Sequence, residues 1–203
     1  MPSRRGRRAQ RVALAIAAVA AVPACLDTPS DGLGGAGDGD QPVQLLVNAS
    51  FEDRAAGWDR DGSVEVATTD ELALPESQAG PWVAALGRVN DDRDSIEQLV
   101  TVPAWATALD VSGVRCFITT EPFEAEFDNF WIYLESLDGL EVEDVVGASN
   151  LDASTGGCTW SSFRYTAVDI HAGEQIRFVV EAVMDEDSPT SFAIDGLALT
   201  ASP

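Results

Sequence analysis

Residues 127–135, Phe-Asp-Asn-Phe-Trp-Ile-Tyr-Leu-Glu, and residues 175–183, Gln-Ile-Arg-Phe-Val-Val-Glu-Ala-Val, decide the fold, because both alternate with a period of two. In the first run Phe130, Ile132 and Leu134 share one face, and Asn129, Trp131, Tyr133 and Glu135 share the other. In the second, Ile176, Phe178, Val180 and Ala182 lie opposite Arg177, Val179 and Glu181. Successive side chains of a strand point to opposite sides of its sheet, so each run predicts a strand with one face in a core. The opposite face mixes aromatic with charged groups, and a ligand is expected there.

Working outward, β-rich runs recur at residues 43–51, 63–68, 82–86, 95–102, 108–119, 143–148, 163–170 and 191–200, separated by Gly, Pro, Asp and Asn. No stretch keeps an i, i+3, i+4, i+7 apolar pattern for three turns. The expectation is an all-β domain over residues 42–203, a β-sandwich jelly roll of two antiparallel sheets.

Two further segments precede that domain. Residues 1–24 comprise an arginine-rich stretch ending at Arg11, an apolar run from Val12 to Val22 and a short segment leading to Cys25, the tripartite pattern of a secretory signal. The apolar run is too short for an ordinary spanning helix. A cysteine after a small residue at this place resembles the lipobox of bacterial lipoproteins. The resemblance implies that Cys25 is lipidated and becomes the mature N-terminus; ordinary cleavage nearby is the alternative. Residues 25–41 read as a flexible tether, since Asp27 to Asp40 holds five glycines and four acids and almost nothing to bury. The expected location is the bacterial cell envelope, lipid-anchored, with Leu26 rather than Asp at the second mature position favouring the outer membrane.

The formal charge of −22 joins two unlike parts. All twelve basic residues are arginine and five lie in the first eleven positions, so the chain beyond them carries seven arginines against 34 acids, a net charge of −27. Such a body repels phosphate and excludes nucleic acid as a partner. With 45% hydrophobic residues it is nevertheless too apolar for a disordered acidic chain. Setting Cys25 aside leaves Cys116 and Cys158, for which an exported setting makes a disulfide the simplest reading and two separate buried thiols the alternative.

Catalytic constellations fit poorly. The one histidine, His171, sits in the turn His-Ala-Gly-Glu, which leaves no evident general base for a serine or cysteine nucleophile and no ordinary zinc site. Trp58, Trp82, Trp105 and Trp160 lie at strand ends or beside turns, and most are expected in the core or at its edge. Two acidic loops, Asp91 to Asp94 and Asp185 to Asp187, read either as solvated turns or as a weak divalent-cation site.

The opening of the domain, Leu46-Val-Asn-Ala-Ser-Phe-Glu52 with Gly57-Trp58, and its end, Phe192-Ala-Ile-Asp-Gly-Leu-Ala-Leu199, resemble the first and last strands of galactose-binding-domain-like jelly rolls, carbohydrate-binding modules in particular. Glu97 to Pro103 and Gly173 to Phe178 resemble the interior strands. The resemblance covers most of residues 43–201. It implies a structural calcium held by Glu52 and Asp195, and a non-catalytic domain that binds carbohydrate. Trp131 and Tyr133 are then the candidate stacking platforms, with Asn129, Glu135, Arg177, Glu181 and Arg115 as polar partners. A structural or adhesive surface domain that contacts another surface protein is the alternative, and a glycoside hydrolase with two converging carboxylates a third.

Overall fold

The computed structural model describes residues 41–121, 125–139, 142–169 and 171–203. The segment expected to be a signal peptide, most of the expected tether, Cys25 and Ile170 lie outside the described residues. Eleven strands are found among those described: β1 Val43–Gln44, β2 Asp59–Asp61, β3 Glu65–Thr68, β4 Trp82–Leu86, β5 Arg93–Thr101, β6 Ala108–Thr119, β7 Asn129–Ser136, β8 Val142–Ser149, β9 Ser161–Thr166, β10 Gln175–Val183 and β11 Thr190–Ser202. A single 3-10 turn, Asn150–Asp152, follows β8.

The strands form two antiparallel sheets. One runs β3-β4-β11-β6-β9, with β1 also on β11; the other runs β2-β5-β10-β7-β8. The chain thus has the expected β-sandwich. Central strands β7 and β10 keep the predicted faces: Phe130, Ile132 and Leu134 are buried against Ile176, Phe178, Val180 and Ala182 of the next strand. The core between the sheets is rich in phenylalanine. Phe117, Phe130 and Phe192 meet with ring centroids 4.9–5.3 Å apart, and Trp58 joins Phe51 at 5.3 Å and Phe178 at 6.2 Å. Rings at these separations add edge and offset contacts to the area that they bury.

Two differences from the sequence reading have local causes. The first run is a strand only at Val43–Gln44, because Asn48 (φ 47°) and Phe51 (φ 57°) take the left-handed conformation and turn the chain. The Asn48 side chain fixes that turn: its Nδ2 donates to the carbonyls of Arg54 (2.7 Å) and Ala56 (3.0 Å), and its Oδ1 accepts from the Asp53 amide (3.0 Å). The other difference is β2, Asp-Arg-Asp, a wholly exposed edge strand with no apolar residue to reveal it.

The outer faces of the two sheets differ. On the β11 sheet, Val83, Cys116 and Ala193 are covered by Leu72 and Leu74 of the β3–β4 connection and by Cys158 and Trp160. Cys116 and Cys158 form a disulfide with Cα atoms 5.5 Å apart, and the Trp160 indole N–H donates to the Pro75 carbonyl at 2.8 Å. On the β10 sheet the outer face carries the candidate site.

Candidate functional site

Strand register assembles the site. Across the outer face of β5, β10 and β7, Ser95 stands beside Glu181 and Glu181 beside Trp131; Glu97, Val179 and Tyr133 form the next row; Leu99, Arg177 and Glu135 form the third. Edge strand β2 extends two rows, with Asp61 opposite Ser95 and Asp59 opposite Glu97. On this face lies an open groove of about 350 Å³ bounded by Asp61, Arg93, Ser95, Glu97, Tyr133, Glu135, Arg177, Val179 and Glu181. A smaller depression of about 210 Å³ continues it over Asp59, Arg60 and Asp61.

Four of the six charged groups that line the groove form two ion pairs. Glu181, 8% exposed, holds Arg93 at 2.5 Å through Oε2, and the same oxygen accepts from the Tyr133 hydroxyl at 3.2 Å. Arg177 donates to Glu135 Oε2 from Nε at 2.8 Å and from Nη2 at 2.7 Å. A half-buried carboxylate needs such partners. Burial, then the Glu181 charge and hydrogen bond, push the Tyr133 hydroxyl up to about 12. Tyr133 therefore stays a neutral donor at any physiological pH. The groove floor has an aromatic ring beside the nearly covered Val179, with fixed donors and acceptors at both ends.

The sequence-predicted ligand residues divide. Tyr133, Glu135, Arg177 and Glu181 line the groove together. Trp131 is half-buried on the same face but outside the lining, between Glu181 and Gly147, where the lack of a side chain leaves room beside the indole. Asn129 is a further row along, opposite Val183 and Ser149. Arg115 is not at this site: it lies on β6 of the other sheet, between β11 and β9, with its guanidinium 5.3 Å from the Phe117 ring. Arg93, Ser95, Glu97 and Asp61 are groove residues that the sequence reading missed. The alternation of β5 held the signal for three of them; β2 offered none.

The other expectations are placed as follows. His171 occupies its turn with φ 51°, buried, Nδ1 3.3 Å from Glu174 Oε2. Trp58 is in the core with Trp82 packed against its cluster, Trp160 packs in the outer cover of the β11 sheet, and Trp105 is 40% exposed. Asp94, in a run read either as a solvated turn or as a weak divalent-cation site, is fully buried and accepts from the Gly87 amide at 2.7 Å and from the Ser63 amide, tying two turns together.

Glu52 and Asp195 come from opposite ends of the domain to one locality. Asp195 sits where β11 bulges against β6 and is fully buried. Its Oδ2 accepts from Ser77 Oγ at 2.5 Å and its Oδ1 from the Gly196 amide at 2.6 Å. Burial pushes its carboxyl up to about 6 against those donors, and the Glu52 charge adds to the rise. Glu52 Oε1 lies against Gly80, where a Cβ would come within 1.9 Å of it. A buried carboxylate with a second carboxylate near it and turn backbone alongside offers hard oxygen donors of the kind that suits calcium. Among the described residues no three His, Cys, Asp or Glu side chains form a ready metal-binding group, so backbone carbonyls and water must complete any shell.

A comparison with models of protein families matches none of them, and a comparison with curated proteins likewise matches none. Among solved structures the chain is similar to the carbohydrate-binding module TmCBM61, solved in complex with β-1,4-galactotriose. The two share 17% identity over 77% of this chain and 97% of that chain, with a TM-score of 0.56. It is also similar to part of the enzymatically active domain of bacteriophage CBA120 tailspike protein 4, at 10% identity, 78% of this chain, 21% of that chain and a TM-score of 0.50. At these identities the likeness is one of fold: the described domain is a β-sandwich jelly roll of the kind found in carbohydrate-binding modules.

Proposed function

We propose that this protein is a non-catalytic carbohydrate-binding module that takes a neutral oligosaccharide across β5, β10 and β7, held at a bacterial envelope by a lipid on Cys25. The observation that carries the reading is the contrast between the two outer sheet faces. One is sealed by the β3–β4 connection and the disulfide, and the other is an open groove furnished with Tyr133, Val179 and two arginine–glutamate pairs. Sugar C–H faces pack on an aromatic ring, and hydroxyls exchange hydrogen bonds with carboxylate and guanidinium groups. The ligand of TmCBM61 supports trying β-1,4-linked galactose oligomers first.

Calcium between Glu52 and Asp195 is part of the proposal, supported by the buried carboxylate and by the match of donor chemistry. It would staple the turn after β1 to β11 and leave the groove free. The signal-like pattern of residues 1–24 and the acidic glycine-rich stretch that follows support export, anchoring and display away from the membrane.

A glycan array probed with the full chain in calcium tests the binding claim. Binding to neutral β-linked oligosaccharides, lost in Tyr133→Ala and Arg177→Ala and kept in Arg115→Ala, is the expected result. Uniform absence of binding across the array overturns it.

A further inference from the structure

The acidic loop Asp185–Asp187 does not stand alone at its end of the sandwich. The loops before β5 and after β10 are joined, since the Asp91 amide donates to the Asp185 carbonyl at 2.5 Å, the Met184 amide to the Asp92 carbonyl at 3.0 Å and Asn90 Nδ2 to the Glu186 carbonyl at 3.3 Å. Asp128, fully buried just before β7, fastens the same loop from below: its Oδ1 accepts from the Asp185 amide at 3.0 Å and its Oδ2 from the Thr190 amide at 2.8 Å. Glu121 enters from the end of β6. Its amide donates to Thr119 Oγ1 at 2.9 Å, and that hydroxyl is bonded in turn to Thr190 Oγ1 at 2.8 Å.

Glu121 is the anomaly. It is 3% exposed, and its Oε1 is a buried side-chain oxygen without a hydrogen-bond partner. Buried polar atoms are almost always paired, and a buried carboxylate oxygen facing other carboxylates is the costliest to leave alone. Burial, then the charges of Asp185, Asp128 and Asp187, push the Glu121 carboxyl up, against the Ser188 amide, which holds it down. Two species relieve such a cluster: a proton on Glu121, or a cation shared among the acids.

The geometry points to a second calcium site here, separate from Glu52 and Asp195, in which Glu121 Oε1 and the Asp185 and Asp187 carboxylates take a hard divalent cation. Asp128 is a positioning residue, since both its oxygens are occupied by amides. The acids are not preassembled as a cage, so backbone carbonyls and water supply the remaining ligands. A site so built is weak, with a dissociation constant on the order of 10⁻⁴ to 10⁻³ M, the range of extracellular modules. Its place at the loop end means that it ties Glu121 at the end of β6 to the β10–β11 connection and leaves the sugar groove untouched.

The test is a titration of the full chain with calcium chloride by calorimetry at neutral pH, after treatment with a chelator. The parent is compared with Glu121→Gln, Asp187→Asn and Glu52→Gln, and circular dichroism confirms that each variant is folded. The expected result is a calcium equivalent that survives Glu52→Gln, disappears in Glu121→Gln and weakens about tenfold in Asp187→Asn, as loss of one ligand charge predicts. Asp187 is exposed, so its variant keeps the test alive should Glu121→Gln fail to fold. Calcium binding that is unchanged in Asp187→Asn and in folded Glu121→Gln overturns the site and leaves a proton on Glu121 as the explanation. Binding abolished by Glu52→Gln alone overturns it equally.

Discussion

The Tyr133 hydroxyl donates to the Glu181 carboxylate across the β7–β10 pair, 3.2 Å away, on the oxygen that also holds Arg93. The contact makes the groove floor one connected unit in which an aromatic ring, an acid and a base fix one another. Tyr133→Phe removes the donor and leaves the ring. Stability is expected to fall by about 1.5 kcal/mol, the usual worth of a hydrogen bond to a charged group, read as a lower urea midpoint. Glycan affinity is expected to survive this change and to be lost in Tyr133→Ala.

The same contact has a signature in alkali. Tyr133 holds its proton to about 12, above the ordinary tyrosine value of 10.0, so between those limits the folded form binds the extra proton. This contribution to stability is complete below pH 10 and is lost as pH rises through 12. Of the two tyrosines, Tyr165 is raised as well, by its bond to Glu143. Phenolate absorbance of the folded protein should therefore appear late, and Glu181→Gln should move part of it earlier.

Asp195 makes calcium-free protein respond to pH in a way that most acids do not. Its folded value of about 6 lies above the ordinary 3.8, so the stability it contributes is complete below pH 3.8 and is lost as pH rises through 6. The loss is on the order of 3 kcal/mol. In chelator, Asp195→Asn should flatten the difference in melting temperature between pH 4 and pH 7 relative to the parent. At pH 7 calcium should raise the melting temperature of the parent more than that of the variant, in which only the weak site at Glu121 remains to respond. An equal calcium response in both would remove the metal from this place.

Gly80→Ala tests the same locality from its other side. The new methyl falls on Glu52 Oε1, and φ at Gly80 is +147°, so both the carboxylate and the backbone must move. A loss above about 1 kcal/mol is expected even in chelator, from the strained backbone. The calcium-induced rise in melting temperature should shrink as well, while Gly156→Ala, where an added Cβ meets nothing within 4 Å, should lose only the backbone part.

Reduction of Cys116–Cys158 should cost about 2–5 kcal/mol. It should also loosen the cover over the β11 sheet, because Cys158 and Trp160 pack there with Leu72 and Leu74. Melting with and without reductant gives the first effect. Greater fluorescence quenching in the reduced form gives the second, since the Trp160 indole would lose its hold on Pro75.

Much of the fold was legible in strands whose two faces differ in polarity. The faces of β7 and β10 follow from alternation alone, and the burial of Asp195 follows from Phe192, Ile194 and Leu197 around it. What stayed hidden depends on which strands become neighbours. Arg115 and Arg177 look alike as outliers in β-rich runs, yet β6 pairs in one sheet and β10 in the other. Arg93, Ser95 and Glu97 join the groove only because β5 lies beside β10. Asp59–Asp61 carries no periodicity at all and becomes a strand by pairing with residues 95–97. Turn conformation was equally silent, since nothing in Ala-Ser-Phe announces a left-handed phenylalanine at residue 51.

Strand β11 lies against β6 along nearly its whole length, and on its other side meets β4 through Phe192, Ala193 and Ile194 and β1 through Thr200 and Ala201. Until residues 190–202 leave the ribosome, β4 and β6 each expose an edge that no other described strand can occupy. Folding of this sheet therefore waits for residues 190–202, and the contacts that close it join segments about 100 residues apart in the chain, a slow and late kind of assembly.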